Sequence, residues 1–263
     1  MTRSVNFTQA LVAAYRENPC QVLPNALWKS ISWADEFQTD FCLEARNVTQ
    51  LMAWSTEQWM LYWNRDRHLP QQLPLRDRGV LKFALLHQDF ENLLPPETFP
   101  DRQCYFRLFH SLRAVPAPNL PKGFSFATSD PLADSEEIAQ VINACYADIN
   151  LSPEAIRSWK DHPVFSADLW VWVIDEKRNQ PAGLGIAEFD RAIAEGSLEW
   201  IQILPAYRGK GLGKQLVYDL LMRLAGRAEF ATVAGQVDNH TNPERLYRGC
   251  GFQGDDLWWV LRK

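Results

Sequence analysis

The stretch LPAYRGKGLGKQLVYDLL, Leu204 to Leu221, decides how this chain is read. Gly209, Gly211 and Gly213 alternate with Lys210, Leu212 and Lys214, and apolar residues at three-to-four spacing follow at once. The glycines strip side chains from a turn between a strand and a helix. Backbone N–H groups at the helix start can then converge on an anion. Arg208, Lys210 and Lys214 add positive charge, and the helix dipole adds ~0.5–1 kcal/mol at an exposed site. Such a turn suits a phosphate or pyrophosphate. Two other glycine loops do not fit. A G-x-x-x-x-G-K-[ST] loop would need glycine where Arg208 stands and a hydroxyl where Gln215 stands. The G-x-G-x-x-G fingerprint would need glycine at Lys214 and a parallel βαβ unit.

Outward from the loop, the second half is regular. FSFAT (124–128) reads as a strand, and DSEEIAQVINACYADI (134–149) as a helix capped by Asp134 or Ser135. SPEAIRSWKDH (152–162) is a short helix with Pro153 in its first turn. LWVWVID, GLGIAEFD and SLEWIQIL read as an antiparallel meander that runs into the glycine loop. After the loop's helix come a strand over FATVAGQV, a helix over NPERLYRGC and a strand over DLWWVLR. The order β-α-α-β-β-β-α-β-α-β is an α+β sheet with helices on its faces.

A proline-rich seam, LRAVPAPNLPKG (112–123), separates this half from the first. The expected domains are therefore 1–115, a linker over 116–123, and 124–263. Before the seam, TQALVAAYREN, VTQLMAWSTEQWMLYWNRD and VLKFALLHQDF each place apolar residues at helical spacing, so a helix-rich accessory domain is expected. CYFRLFHSL (104–112) reads as a strand or short helix, and SWADEFQTDF (32–41) as a helix with one solvated face.

Composition excludes several classes. The 263 residues carry 46% hydrophobic and 22% charged residues, the balance of an ordinary globular protein. A net charge of −5 speaks against nucleic acid or an anionic membrane as the main partner. Five scattered cysteines, without a CxxC or Cys/His cluster, speak against a disulfide framework or a zinc site, so no metal is expected. No apolar run approaches bilayer-spanning length, and MTRSVNFTQALVAAYRENPC lacks the pattern of a secretory signal; a cytoplasmic location is the expectation.

IQILPAYRGKGLGKQLV closely resembles the acetyl-CoA-binding signature of the GNAT N-acetyltransferase superfamily: a strand, a proline, then R/Q-x-x-G-x-G/A opening a helix. NPERLYRGCGF resembles that family's later motif, a helix carrying a tyrosine and ending at Gly-Phe. The resemblance covers roughly Phe124 to Lys263 and implies a GNAT-like, mainly antiparallel mixed sheet with helices on both faces. It implies that backbone amides of Gly209, Lys210, Gly211, Leu212 and Gly213 hold the coenzyme A pyrophosphate, with Arg208 and Lys214 adding charge. It further implies that the strand through Ile201 and Ile203 pairs with the pantetheine arm, splayed by a bulge from the next strand. Asn239 or Asn242 would bond the arm from the far side. The first half would be either a shrunken, coenzyme-free GNAT half or a helical cap.

Acyl transfer from a thioester to an amine needs a neutral amine, a donor for the developing oxyanion and a proton for the leaving thiolate. Alkyl amines titrate near ~10, so a base or a water relay must take a proton. Glu199, nine residues before Arg208, is the candidate base, and Glu188 on the preceding strand is a candidate substrate contact. The resemblance places Tyr247 beside the coenzyme sulfur as general acid. The oxyanion donor is expected to be a backbone N–H near Ile203 or Leu204. The expected function is acetyl transfer from acetyl-CoA to a primary amine, of a small molecule first and of a peptide or protein second. A non-catalytic acyl-CoA sensor is the reading from another class, and a homodimer is left open.

Overall fold

A computed structural model of the chain describes residues 5–69, 80–94, 96–146 and 149–263. These divide into two compact units that do not follow a single cut in the sequence. One comprises Met1–Phe109, Ala234–Asn242 and Gly254–Lys263; the other comprises His110–Val233 and Pro243–Gln253.

The first unit opens on helices α1 (Phe7–Glu17), α2 (Pro19–Val22) and α3 (Leu27–Ala34). Asn6 caps α1 through a reciprocal pair: its Oδ1 accepts from Gln9 N at 2.9 Å, and its own N–H donates to Gln9 Oε1 at 3.2 Å. Strands β1 (Gln38–Glu44), β2 (Asn47–Trp54), β3 (Gln58–Asn64), β4 (Phe83–His87) and β5 (Asp101–His110) follow. The expectation of a helix-rich first half is thus corrected. VTQLMAWSTEQWMLYWNRD forms the β2–β3 pair and VLKFALLHQDF carries β4. The physical reason lies in burial: Leu51, Met52 and Ala53 are consecutively buried, as are Leu61, Tyr62 and Trp63. Runs of apolar residues buried on both faces imitate helical spacing while their aromatic content favours strands. The break LPQQLPLRDRG (69–79) between these two stretches lies outside the described residues except for Leu69. Within this unit the strand order is β1-β2-β3-β4-β11-β5, where β11 (Gln253–Arg262) is the last strand of the chain. β11 pairs antiparallel with β4, Trp258 opposite His87 and Arg262 opposite Phe83. Trp59, Tyr62, Phe90 and Phe99 fill the core beside it.

The second unit realises the order read from the sequence except for its last strand, which is β11 of the first unit: β6 (Phe124–Thr128), α4 (Ser135–Asn143), α5 (Pro153–Ser158), β7 (Trp170–Asp175), β8 (Gln180–Asp190), β9 (Glu195–Ile203), α6 (Leu212–Leu224), β10 (Phe230–Gln236) and α7 (Pro243–Arg248). Strands run in the order β10-β9-β8-β7-β6, antiparallel except for the β9–β10 pair. Helices cover both faces. Leu184 and Ile186 pack with Ile138, Ile142 and Ile156 of α4 and α5. Gly185, between them, points the other way: a Cβ there would lie 2.8 Å from Leu216 of α6. The close seat of α6 on β8 therefore needs that missing side chain. Only Phe230–Val233 of β10 belongs to this unit; its last residues, Ala234–Gln236, belong to the first.

Candidate active site

The glycine loop is fastened at its entrance. β9 ends in a 3-10 turn at Pro205–Tyr207, and the buried Tyr207 hydroxyl donates to Asp175 Oδ2 at 3.0 Å while accepting from Gln180 Nε2 at 2.9 Å. Arg178 Nη1 donates to the same carboxylate oxygen at 2.8 Å, and the N–H groups of Lys177 and Arg178 donate to the other. The Arg178 guanidinium first, and then these hydroxyl and backbone donors, hold the Asp175 carboxyl down to about 2 against the effect of burial. Arg208 follows the turn and donates from Nε to the Ile203 carbonyl at 3.1 Å.

Gly209 and Gly211 both adopt φ of 78°, and a Cβ on either would meet nothing within 4 Å. The glycines are required for the left-handed backbone, and the space above them is open. Gly211 is the N-cap of α6; no side chain caps the helix and no acid sits in its first turn. Its first N–H groups therefore lack the usual intrahelical or capping acceptors. Leu212 is buried and offers only its backbone, whereas Gly213 is ordinary helix whose Cβ would touch Leu246 and Ile203 at normal distances. Lys210 Nζ lies 5.0 Å from the Tyr207 ring and 5.7 Å from Phe124, and Lys214 Nζ lies 5.5 Å from Tyr218. Aromatic faces keep both cations at the loop.

β9 supplies the second component. Within this unit its parallel pairing with β10 runs from Phe230 opposite Glu195 to Val233 opposite Leu198. On its other edge, Ile186 pairs with Trp200 and Ala187 with Leu198, so Glu199 is the extra residue of a β-bulge. The segment Glu199–Ile203, which includes Ile201, follows this bulge against β8 and leads directly to the glycine loop. The Leu204 N–H donates to the Ala182 carbonyl at 3.0 Å, which removes it from the oxyanion candidates.

Tyr247 of α7 is the third component. Its phenol is buried, and burial raises its pKa well above the usual ~10, with further upward contributions from Tyr146, Cys250 and Glu199. The structure therefore brings Glu199 into electrostatic reach of Tyr247. Tyr146, which the sequence reading missed, joins them: its hydroxyl accepts from Gln202 Nε2 at 3.0 Å. The signal for it was available in Gln202 and Trp200, alternate residues at the end of β9 that leads into the loop. Cys145 next to it donates from Sγ to the Ile203 carbonyl at 3.7 Å. Glu188 is held by Ser197 Oγ at 3.4 Å, and His162 Nδ1 lies 3.8 Å from its other oxygen. Asn239 and Asn242 belong to the first unit, where Asn239 Oδ1 accepts from the N–H and the hydroxyl of Thr241 in their shared turn.

Residues 167–254 match the family model described as acetyltransferase (GNAT) domain. Among solved structures, a GCN5-related N-acetyltransferase from Sphaerobacter thermophilus aligns over 82% of this chain and 77% of its own, with 13% identity and a TM-score of 0.61. A GNAT-family acetyltransferase from Colwellia psychrerythraea aligns over 98% of both chains, with 10% identity and a TM-score of 0.59. A tandem GNAT protein from the clavulanic acid biosynthesis pathway covers 97% of this chain and 94% of its own, at 12% identity and a TM-score of 0.58. At these identities the similarity is one of fold. No curated protein matches the chain in sequence.

Proposed function

Taking residues 167–254 as an acetyltransferase (GNAT) domain, we propose that this chain moves the acetyl group of acetyl-CoA onto a primary amine of a small molecule. One observation carries the reading. β9 runs from its bulge at Glu199 into an uncapped, glycine-opened helix start, and Glu199 contributes to the upward pKa shift of the buried Tyr247. The residues present fit the coenzyme: the open face over Gly209 and Gly211, flanked by Arg208, Lys210 and Lys214, suits a pyrophosphate. The backbone of Ile201 and Ile203 would take a pantetheine arm as an added strand. When bound, the coenzyme supplies an activated acetyl thioester.

The chain's own groups then have three tasks. Glu199, directly or through water, takes the proton that converts the acceptor ammonium to a free amine. The amine nitrogen forms its bond to the acetyl carbon as the carbon–sulfur bond breaks, and the nitrogen's surplus proton ends on sulfur. Tyr247 stands where that proton passes. Its raised pKa makes outright donation to a thiolate uphill, so the hydroxyl acts as a hydrogen-bond donor that gives up its proton only as it receives one. No net proton is produced after the amine is neutral.

Release of free thiol from acetyl-CoA in the presence of primary amines tests the proposal. Amine-dependent release, lost in Tyr247→Phe with coenzyme binding intact, supports it. Tight coenzyme binding without turnover of any amine would instead mark an acyl-CoA sensor.

A further inference from the structure

The surroundings of Glu199 contain aromatic rings in an order that the transfer chemistry itself does not use. Tyr146 meets Trp200 edge-on, centroids 6.0 Å apart at 84°. Trp200 stacks on Trp159 at 5.6 Å and 12°, and Trp159 in turn leans on Trp170 at 6.0 Å. The far end of this row is core, since Trp170 is buried together with Ile138 and Ile156. At the near end Tyr146, Trp159 and Trp200 pack against the same core but keep partial exposure. That end also coincides with the proposed chemistry. Trp200 follows Glu199 at the bulge, and Tyr146 and Glu199 both act on Tyr247.

Such a row is selective. Stacked and edge-on rings reward a flat π-system beyond the area it buries, and the same faces attract an ammonium group before it loses its proton. A polyamine or an aminosugar would call for several carboxylates spaced along the acceptor. Glu199 and Glu188 are the acids on the strand pair at this end, and Glu188 is engaged by Ser197 with His162 close by.

Resting on the acetyltransferase reading above, we infer that the acceptor is an arylalkylamine: an aromatic ring packed on Trp200, Trp159 and Tyr146, with a primary amine on a short chain directed to Glu199. The rings determine specificity and take no part in proton transfer.

The test compares kcat/KM for 2-phenylethylamine and tryptamine with that for n-butylamine, spermidine, glucosamine and a short peptide, using acetyl-CoA and thiol detection. The aryl amines are expected to lead n-butylamine roughly tenfold, the scale of one good ring contact. Trp200→Leu is expected to bring that ratio close to one through KM, with calorimetric acetyl-CoA affinity unchanged. Trp159→Leu, in the turn after α5, serves as the second variant should Trp200→Leu not fold. Preference for spermidine, glucosamine or peptide, or no turnover of aryl amines by protein that binds acetyl-CoA, overturns the inference and leaves the coenzyme site standing. A ratio unchanged in folded variants also overturns it. Wild-type protein that fails to bind acetyl-CoA overturns the acetyltransferase reading and this inference together.

Discussion

The Tyr207 hydroxyl lies 3.0 Å from Asp175 Oδ2, which ties the turn before the glycine loop to the end of β7. Asp175 is held at about 2 in the folded chain, below the ordinary carboxylate value of ~3.9. A depressed carboxylate contributes stability that is complete above its unfolded value and lost as pH falls toward its folded value. Thermal unfolding should therefore show a drop in Tm between about pH 4 and about pH 2 that is smaller in Asp175→Asn. Tyr207→Phe should cost about 1 kcal/mol, since it strips one partner each from Asp175 and Gln180. An identical acid profile in Asp175→Asn would remove this anchor from the account.

His110 provides a second, separable pH effect. Its Nδ1 accepts from the Leu112 N–H at 2.9 Å, its ring bonds the Cys250 backbone, and burial lowers its pKa. Because the unfolded chain binds the proton more readily, stability should fall as pH drops below the unfolded value of ~6.5. Nearby, Gly251 has φ of 100°, and a Cβ there would come within 2.9 Å of His110 Nε2. Gly251→Ala should thus destabilise by about 1–2 kcal/mol or more, from the backbone conformation alone. Chemical denaturation at pH 7 and pH 5.5 checks both; a flat wild-type response contradicts the first.

Tyr247→Phe should lower kcat about a hundredfold while leaving acetyl-CoA affinity within experimental error. The phenol's pKa is raised, so it stays protonated throughout the neutral range. The rate profile between pH 6 and pH 9 should accordingly keep its shape in the variant and lose height. A Tyr247→Phe profile that loses an alkaline limb present in wild type would mean that the hydroxyl titrates, against its burial.

The second half was legible because each element advertises itself locally. Gly211 opens α6, Pro153 starts α5, and the β7 to β9 meander has short turns. The first half was misread because Trp59, Leu61, Tyr62 and Trp63 are all buried. A strand covered on both faces has no period to separate it from a helix. Nor does anything local announce that β11 pairs with β4, since that contact joins residues such as Trp258 and His87 across most of the chain. The bulge at Glu199 and the arrival of Tyr146 are likewise products of register and packing. A sequence with Glu199 two residues before Ile201 gives the acid but not the kink that re-aims it.

That long-range pairing has a consequence for truncation. The domain limits 1–115 and 124–263 would part β11 from β4, leaving buried Trp258 without its partner strand and without the Cys20 carbonyl, to which its Nε1 donates at 2.7 Å. We expect residues 116–263 expressed alone to aggregate or to unfold without cooperativity, because an unpaired apolar edge is exposed. Removing 254–263 as well should not rescue it if the first half is needed for more than β11. A soluble, cooperatively folding 116–263 fragment would favour two independent domains.

The central claim is that the bare backbone at Gly209 to Gly213 grips a pyrophosphate. Calorimetric titration of acetyl-CoA into wild type, Gly211→Asn and Gly211→Asp tests it most directly. Both substitutes tolerate the left-handed conformation at Gly211, so they differ mainly in charge. The account predicts clear binding to wild type and a Kd for Gly211→Asp at least about tenfold weaker than for Gly211→Asn. Equal affinity in all three proteins, or none in wild type, would contradict it.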